Sequence, residues 1–248
     1  MPENQRTARL CVLIDADNMP ATHAEAIFEE ISGLGEASVR RIYGDWSAQR
    51  LGGWAKKANT LGLVADQQFA NTKGKNASDI ALVIAAMDFL HSGRFDGFVL
   101  VSSDSDFTRL AQRIREQGLD VFGIGEKKTP EAFRNACKRF IYVENLGETT
   151  PEPEQPADPQ AEAAPRPARP EKPGAKEAIP LVAAAMKRIG LEEEWYSLGQ
   201  IGQFIMQANP DFDTRTYGAA KLSDLLRQTG RFEVKKGEGN SLQVRDRA

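Results

Sequence analysis

Apolar residues along this chain fall into short unbroken blocks, separated by longer stretches in which they recur every three or four positions. Leu10 to Ile14, Phe98 to Ser102 and Val121 to Ile124 are blocks of the first kind. Ala37 to Tyr43, Leu63 to Phe69 and Phe140 to Val143 extend the series with β-branched and aromatic residues. All six read as strands, and the unbroken ones as strands covered on both faces. Between them lie helical patterns. Pro20 opens one that Ile27 and Ile31 carry to Gly33, and Leu51 to Leu61 ends at Gly62. Asn76 to Leu90 is the strongest, with Ile80, Val83, Ile84 and Met87 at helical spacing. Asp106 to Gln117 and Pro130 to Cys137 follow. Strands alternating with helices predict βαβ units around a central parallel sheet, an α/β fold with helices on both faces.

The pattern stops at Thr149. From there to Lys176 lie eight of the chain's 13 prolines, among Ala, Glu and Gln. That composition predicts an extended, solvated, disordered linker. Apolar periodicity returns at Ile179. It predicts helices from Ile179 to Ile189, Leu198 to Met206 and Tyr217 to Leu226, then a hairpin of Phe232 to Val234 with Ser241 to Val244. Three helices and a hairpin outline a winged helix-turn-helix. The expected domains are therefore 7–147, a linker over 148–176, and a small domain over 177–248.

Composition narrows the chemistry. The 248 residues are 41% hydrophobic with a net charge of −3, so nucleic-acid contact has to come from local patches rather than a basic tail. The two cysteines, Cys11 and Cys137, form no CxxC pair, and His23 and His91 stand alone, which argues against a zinc site. Buried free thiols suit a reducing compartment, and the expected location is cytoplasmic. No apolar run approaches ~20 residues, so no membrane partner is expected. The polar segment from Met1 to Arg9 has no apolar core, and no signal peptide is expected there.

Acids mark the strand ends. Leu10 to Ile14 runs into Asp15-Ala16-Asp17-Asn18, and Phe98 to Val101 into Ser102-Ser103-Asp104-Ser105-Asp106. The C-terminal ends of parallel strands are where α/β sheets bind ligands. Asp15, Asp104, Asp106 and Asp79, at the start of the long helix, form a candidate oxygen-only cage for a hard cation such as Mg²⁺ or Mn²⁺. Such a cation clamps a phosphodiester and acidifies a bound water. Lys73 and Lys75, just before that helix, are candidates to neutralise substrate phosphates. Each acid also has a structural reading. Ser103-x-x-Asp106 and Asn76-x-x-Asp79 resemble capping boxes, and Asp17 or Asn18 can close an Asx turn. Asp104 and Asp15 are the two that capping leaves over.

The segments VLIDADN, KGKNASD and VSSDSDF, in this order, resemble the NYN/LabA-like branch of the PIN-like ribonucleases. The resemblance spans Leu10 to about Leu146. It implies a PIN-like three-layer α/β/α fold and metal-dependent RNA cleavage. Asp15, Asp79, Asp104 and Asp106 match the metal-binding acids, Asn18 the family's Asn near the first acid, and Ser103 its small polar residue before the third. The C-terminal segment is similar to OST-HTH/LOTUS modules, through the helix ending at Gly190, Trp195-Tyr196-Ser197-Leu198-Gly199, Phe204, Lys221 to Leu226 and the final hairpin.

Such modules bind RNA or protein. Arg215, Lys221, Arg227, Arg231, Lys235 and Lys236 are candidates to face phosphates, with Tyr217 available to stack. Glu177 to Ala248 carries ten basic and ten acidic residues, so a protein partner stands beside RNA. The expected function is a metal-dependent ribonuclease with an appended recognition module. One alternative is a non-catalytic RNA-binding or regulatory adaptor. Another takes Asp15 and Asp17 as nucleophile and general acid/base of a haloacid-dehalogenase-type phosphatase. Met19 stands where that family has Thr or Val, and no cap insertion is evident.

Overall fold

A computed structural model describes residues 6–46, 51–67, 77–147, 173–190, 194–237, 239 and 241–247. The chain forms two compact units, the first built on Met1–Gly147. In that unit the elements run β1 (Arg9–Asp15), α1 (Ala24–Leu34), β2 (Glu36–Gly44), α2 (Gly52–Leu61), β3 (Val64–Gln67), α3 (Ala77–His91), β4 (Gly97–Val101), α4 (Thr108–Glu116), β5 (Asp120–Gly125), α5 (Glu131–Ala136) and β6 (Arg139–Tyr142). The six strands form one parallel sheet in the order β3-β2-β1-β4-β5-β6.

That order follows from the handedness of the crossovers. From β1 the chain winds outward through β2 and β3, then returns across the sheet to β4 and winds the other way. Right-handed connections place α1 and α2 on one face and α3, α4 and α5 on the other. Two cores result. Leu10, Val12 and Ile14 of β1 pack with Ile27, Ile31 and Trp54, while Cys11 and Leu13 pack with Leu82, Ala86, Leu110, Ile114 and Phe133. Burial on both faces explains why β1 and β4 read as unbroken apolar blocks. Winding reverses between the neighbours β1 and β4. Their C-terminal ends, Asp15 and Ser102 to Asp104, border the cleft that such a reversal opens.

The helix expected over Asn76 to Leu90 is present as α3, and of the residues at helical spacing Val83 and Met87 pack against the core while Ile80 and Ile84 do not. Leu82, Ala86 and Leu90 face the sheet, while Ile80 and Ile84 are 61% and 58% exposed. The helix is apolar nearly all round, so spacing alone does not select a face. Cys11 and Cys137 are free and buried, and burial pushes both thiols up to about 12, which leaves them protonated and inert at neutral pH.

The second unit comprises α6 (Ile179–Ile189), β7 (Tyr196–Ser197), α7 (Leu198–Ala208), α8 (Leu222–Thr229), β8 (Phe232–Lys236) and β9 (Leu242–Asp246). β9 lies between β7 and β8, antiparallel to both. Val182, Ile201, Leu226, Phe232 and Val244 form its core. The single helix expected over Tyr217 to Leu226 is instead two elements. A 3-10 turn over Thr214–Tyr217 ends at Gly218, and α8 starts afresh at Leu222. Gly218 sits at φ 76°, a left-handed conformation that interrupts a helix. The expected linker, as far as residue 172, lies outside the described residues.

Candidate functional site

Asp15 ends β1 and is 1% exposed. Its carboxylate organises the whole β1–α1 turn. Oδ1 accepts from the backbone N–H groups of Asp17 (3.2 Å) and Asn18 (3.3 Å). Oδ2 accepts from Asn18 Nδ2 (2.8 Å) and from the hydroxyl of Ser102 (2.8 Å), across the strand boundary. The turn over Asp15 to Asn18 is thus an Asx turn closed by Asp15, one element earlier than the turn before Pro20 for which Asp17 and Asn18 are the candidates. Residue 15 is the last in the strand, so its side chain is the first able to curl over the following backbone. Burial raises the Asp15 carboxyl above its ordinary value, and the donors from Asn18 and Ser102 oppose that rise. Trp54 Nε1 donates to the Met19 carbonyl (2.7 Å) and holds the same turn from behind.

The end of β4 is built from serines and a cap. Ser102 is 1% exposed and accepts from the Asp104 N–H (3.1 Å). Asp104 is the N-cap of a 3-10 turn over Ser105–Phe107, and its Oδ1 accepts from the Asp106 N–H (2.9 Å). That corrects the expected capping box of Ser103 and Asp106, and Asp104 is not left over. Ser103 Oγ instead accepts from the Glu126 N–H (2.9 Å), tying β4 to the loop after β5. Gly125 is required beside it, since a Cβ there would stand 2.6 Å from the Ser102 carbonyl oxygen.

The third segment is the start of α3. Ser78 donates to Asp17 Oδ2 (2.9 Å), linking α3 to the β1 turn. Asp79 lies in the first turn of α3, and its carboxyl is pushed up to about 6. Burial is the main cause, followed by the charges of Asp15, Asp104, Asp106 and Asp17. The four acids expected from sequence, with Asp17 added, therefore share one electrostatic environment at the reversal of the sheet. Lys73 and Lys75, and Asn76 of the second capping box, lie outside the described residues. Sequence reading passed over Ser102, Ser78 and Lys128. Lys128 ion-pairs with Glu126 in the loop after β5 and lines the same cleft as Asn18 and Asp104.

The donor chemistry of these acids fits a hard divalent cation, which takes oxygen ligands and offsets their mutual repulsion. The side chains do not stand ready-closed around one. Among the described residues, no three of His, Cys, Asp or Glu lie close enough together to hold an ion as they are placed. Asp15 already receives four donors, which fills its acceptor capacity.

The candidate contacts of the second unit divide. Arg215 is forked onto Asp213, whose carboxylate also caps the 3-10 turn, and Arg231 is forked onto Asp246. Arg227 pairs with Asp224 at 3.1 Å. Lys221 is exposed at the N-cap of α8. Lys235 and Lys236 are exposed neighbours on one strand, so they point to opposite faces of the wing. Lys235 Nζ stands 3.6 Å from the centroid of the Trp195 ring, which Arg245 also covers at 4.7 Å. Tyr217 packs on Phe212, ring centroids 5.9 Å apart.

Comparison with known proteins places these features. No curated protein matches the chain. Solved structures similar to parts of it include the following two. One, a crystal structure of a protein of unknown function from Vibrio parahaemolyticus, is 16% identical and covers 57% of this chain and 96% of its own, with a TM-score of 0.48. The other, a solution structure of an uncharacterized protein from Nitrosomonas europaea, is 28% identical and covers 39% of this chain and 93% of its own, with a TM-score of 0.25. No described helix is long and apolar enough to cross a membrane. The OST-HTH/LOTUS family model matches residues 175–244. The NYN-domain model matches residues 9–144, more than half the chain and the whole of the sheet described above, and the protein belongs to the NYN-domain family.

Proposed function

We propose that this protein is a ribonuclease that cleaves RNA phosphodiester bonds at the β1/β4 cleft with a bound Mg²⁺ or Mn²⁺. The observation that carries this reading is the convergence of Asp15, Asp17, Asp79, Asp104 and Asp106, from three separate segments, on one end of a PIN-like sheet. Like charges so placed cost stability unless a cation accompanies them. Asp79, Asp104 and Asp106 are the residues that would hold it, with Asp15 behind them. When bound, such a cation supplies neutralisation of the phosphodiester and an acidified water.

The chain's own residues do the positioning. Asn18 and Ser102 fix the Asp15 carboxylate in one orientation. Asp104 sets the turn that presents Asp106. Asp79, whose carboxyl is raised to about 6 by burial and by the neighbouring acids, is the group at which a proton and the cation would compete. In the second unit, the Trp195–Lys235–Arg245 stack, whose Arg245 also pairs with Glu194 and Glu233, offers single-stranded RNA an aromatic ring and the Lys235 cation, and Lys221 is a further exposed cation. We read that unit as a tethered recognition module for RNA and keep 7–147, 148–176 and 177–248 as the proposed working parts, with the folded edge of the module reaching back to the 3-10 turn over Ala175–Ala178.

The adaptor reading, RNA or partner binding without cleavage, draws on the saturated Asp15 and the separation of the acids. The phosphatase reading fares worse. A nucleophilic Asp15 would have to attack with both oxygens hydrogen-bonded and 1% of its surface exposed. Incubating purified protein with mixed labelled RNAs decides among them. Cleavage with Mn²⁺ that stops in EDTA supports the nuclease, whereas RNA retained intact under both conditions supports the adaptor.

A further inference from the structure

Beside the acids lies a cavity of about 330 Å³, lined by Asn18, Ser103, Asp104, Ser105, Lys128 and Pro130. Three strand ends build it. Asn18 comes from the turn after β1, the two serines and Asp104 from the turn after β4, and Lys128 and Pro130 from the loop after β5. The last loop is fastened at several points. The Glu126 N–H donates to Ser103 Oγ (2.9 Å), the Lys127 N–H to Glu144 Oε1 (2.9 Å), and the Thr129 N–H to the Glu126 carbonyl (3.0 Å). Lys128 therefore rises from a fixed base, and Glu126 holds its ammonium at the rim. Its side chain is 73% exposed, so exchanging that ion pair for another anion costs little.

The lining is graded. Asp104 makes one wall anionic, the serines and Asn18 offer neutral hydrogen-bonding groups, Pro130 adds a flat apolar surface, and Lys128 is the cation at the mouth. A bare phosphate or a carboxylate fits this poorly, because Asp104 repels it from the interior. A group with a polar, uncharged body and one anionic end fits well. Base and ribose present donors and acceptors to serine and asparagine, and the phosphate turns outward to lysine.

We propose that this cavity is the subsite for the nucleotide next to the scissile phosphate, with Lys128 holding that nucleotide's phosphate. The proposal rests on RNA being the substrate of the β1/β4 cleft. It adds a specific contact from the loop after β5.

The test is equilibrium binding of a labelled single-stranded RNA of about ten nucleotides to the full chain in EDTA, read by fluorescence anisotropy across a salt titration. Lys128→Ala is expected to weaken binding about tenfold and to flatten the log–log salt slope by about 0.7, one phosphate contact on a single strand. Lys128→Arg should restore most of the affinity. Lys127→Ala removes the same charge one residue away, from a position outside the cavity, and should change affinity by about twofold or less. Equal affinities for Lys128→Ala and the parent, equal losses for the two alanine variants, or no RNA binding by the parent each overturn the subsite. Because the readout is binding rather than cleavage, a protein that never cuts RNA with Mn²⁺ can still pass this test. A protein that does cut RNA can still fail it.

Discussion

Replacing Asp79 with Asn should stabilise the metal-free protein, and most at neutral or alkaline pH. The folded-state carboxyl titrates near 6, against an ordinary value of 3.8. Folding therefore favours its protonated form. The corresponding stability is fully present below about pH 3.8 and is lost as pH rises through about 6. In full, that displacement is worth about 3 kcal/mol. The side chain is half-buried, and screening by solvent reduces the figure to about 1.5–2 kcal/mol. Asn keeps the size and removes the charge. It also removes an acid from the first turn of α3, where a negative charge contributes about 0.3–1 kcal/mol. The net gain at pH 8 is about 1 kcal/mol, or a rise in Tm of about 4 °C. At pH 4.5 only about a third of that gain should remain, because the folded carboxyl is neutral while the unfolded one, at 3.8, is already mostly ionised, and the two proteins should melt together below about pH 3.8. Thermal unfolding of both in EDTA, at the two pH values, reads this directly. A variant less stable than the parent at pH 8, or an equal shift at both pH values, would refute the repulsion argument.

Other consequences are as specific. Mn²⁺ should stabilise the parent more than Asp79→Asn, and its affinity should fall as pH drops below about 6, because proton and cation compete for Asp79; calorimetric titration at pH 5 and 7.5 measures both. Ser102→Ala leaves the buried Asp15 carboxylate one donor short and should cost about 1.5–3 kcal/mol in denaturant unfolding at pH 7. Gly125→Ala drives a methyl group toward the Ser102 carbonyl and should cost about 1–3 kcal/mol by the same measurement. Truncation near Gly147 should raise KM for the preferred RNA and leave kcat nearly unchanged, since only binding remote from the chemistry is lost. A collapse of kcat would instead make the second unit part of the active site.

The sheet was legible because its strands are buried on both faces. Leu10 to Ile14 and Phe98 to Val101 carry no polar residue to blur the period, and the acids that follow mark where each strand leaves the core. The same uniformity hid which face of α3 is buried, because Ile80 and Leu82 are equally apolar. Short-range hydrogen bonding was less legible. Asp15, Asp17, Asn18, Ser103, Asp104 and Asp106 are all competent caps or turn formers, and which acceptor meets which N–H depends on backbone angles of a few residues. Ser102 and Ser103 look alike in sequence, yet one points to Asp15 and the other to Glu126. The break at Gly218 was available as a single glycine, but the flanking Tyr217, Ala219 and Ala220 suit a continuous helix. Tyr196–Ser197 was too short to register as a strand, and only pairing with β9 makes it one.

The central claim is that the acids at the β1/β4 cleft hold the cation on which RNA cleavage depends. The most direct measurement is the initial rate of cleavage of a labelled RNA by the parent and by Asp104→Asn over a Mn²⁺ titration. Asn at this position preserves the oxygen that caps the Asp106 N–H, so the turn survives the change. The account predicts a rate that rises with Mn²⁺ to a plateau for the parent, vanishes in EDTA, and stays near background for Asp104→Asn at every concentration, with both proteins equally folded by circular dichroism. Full activity of Asp104→Asn at saturating Mn²⁺, or cleavage by the parent that persists in EDTA, would contradict it.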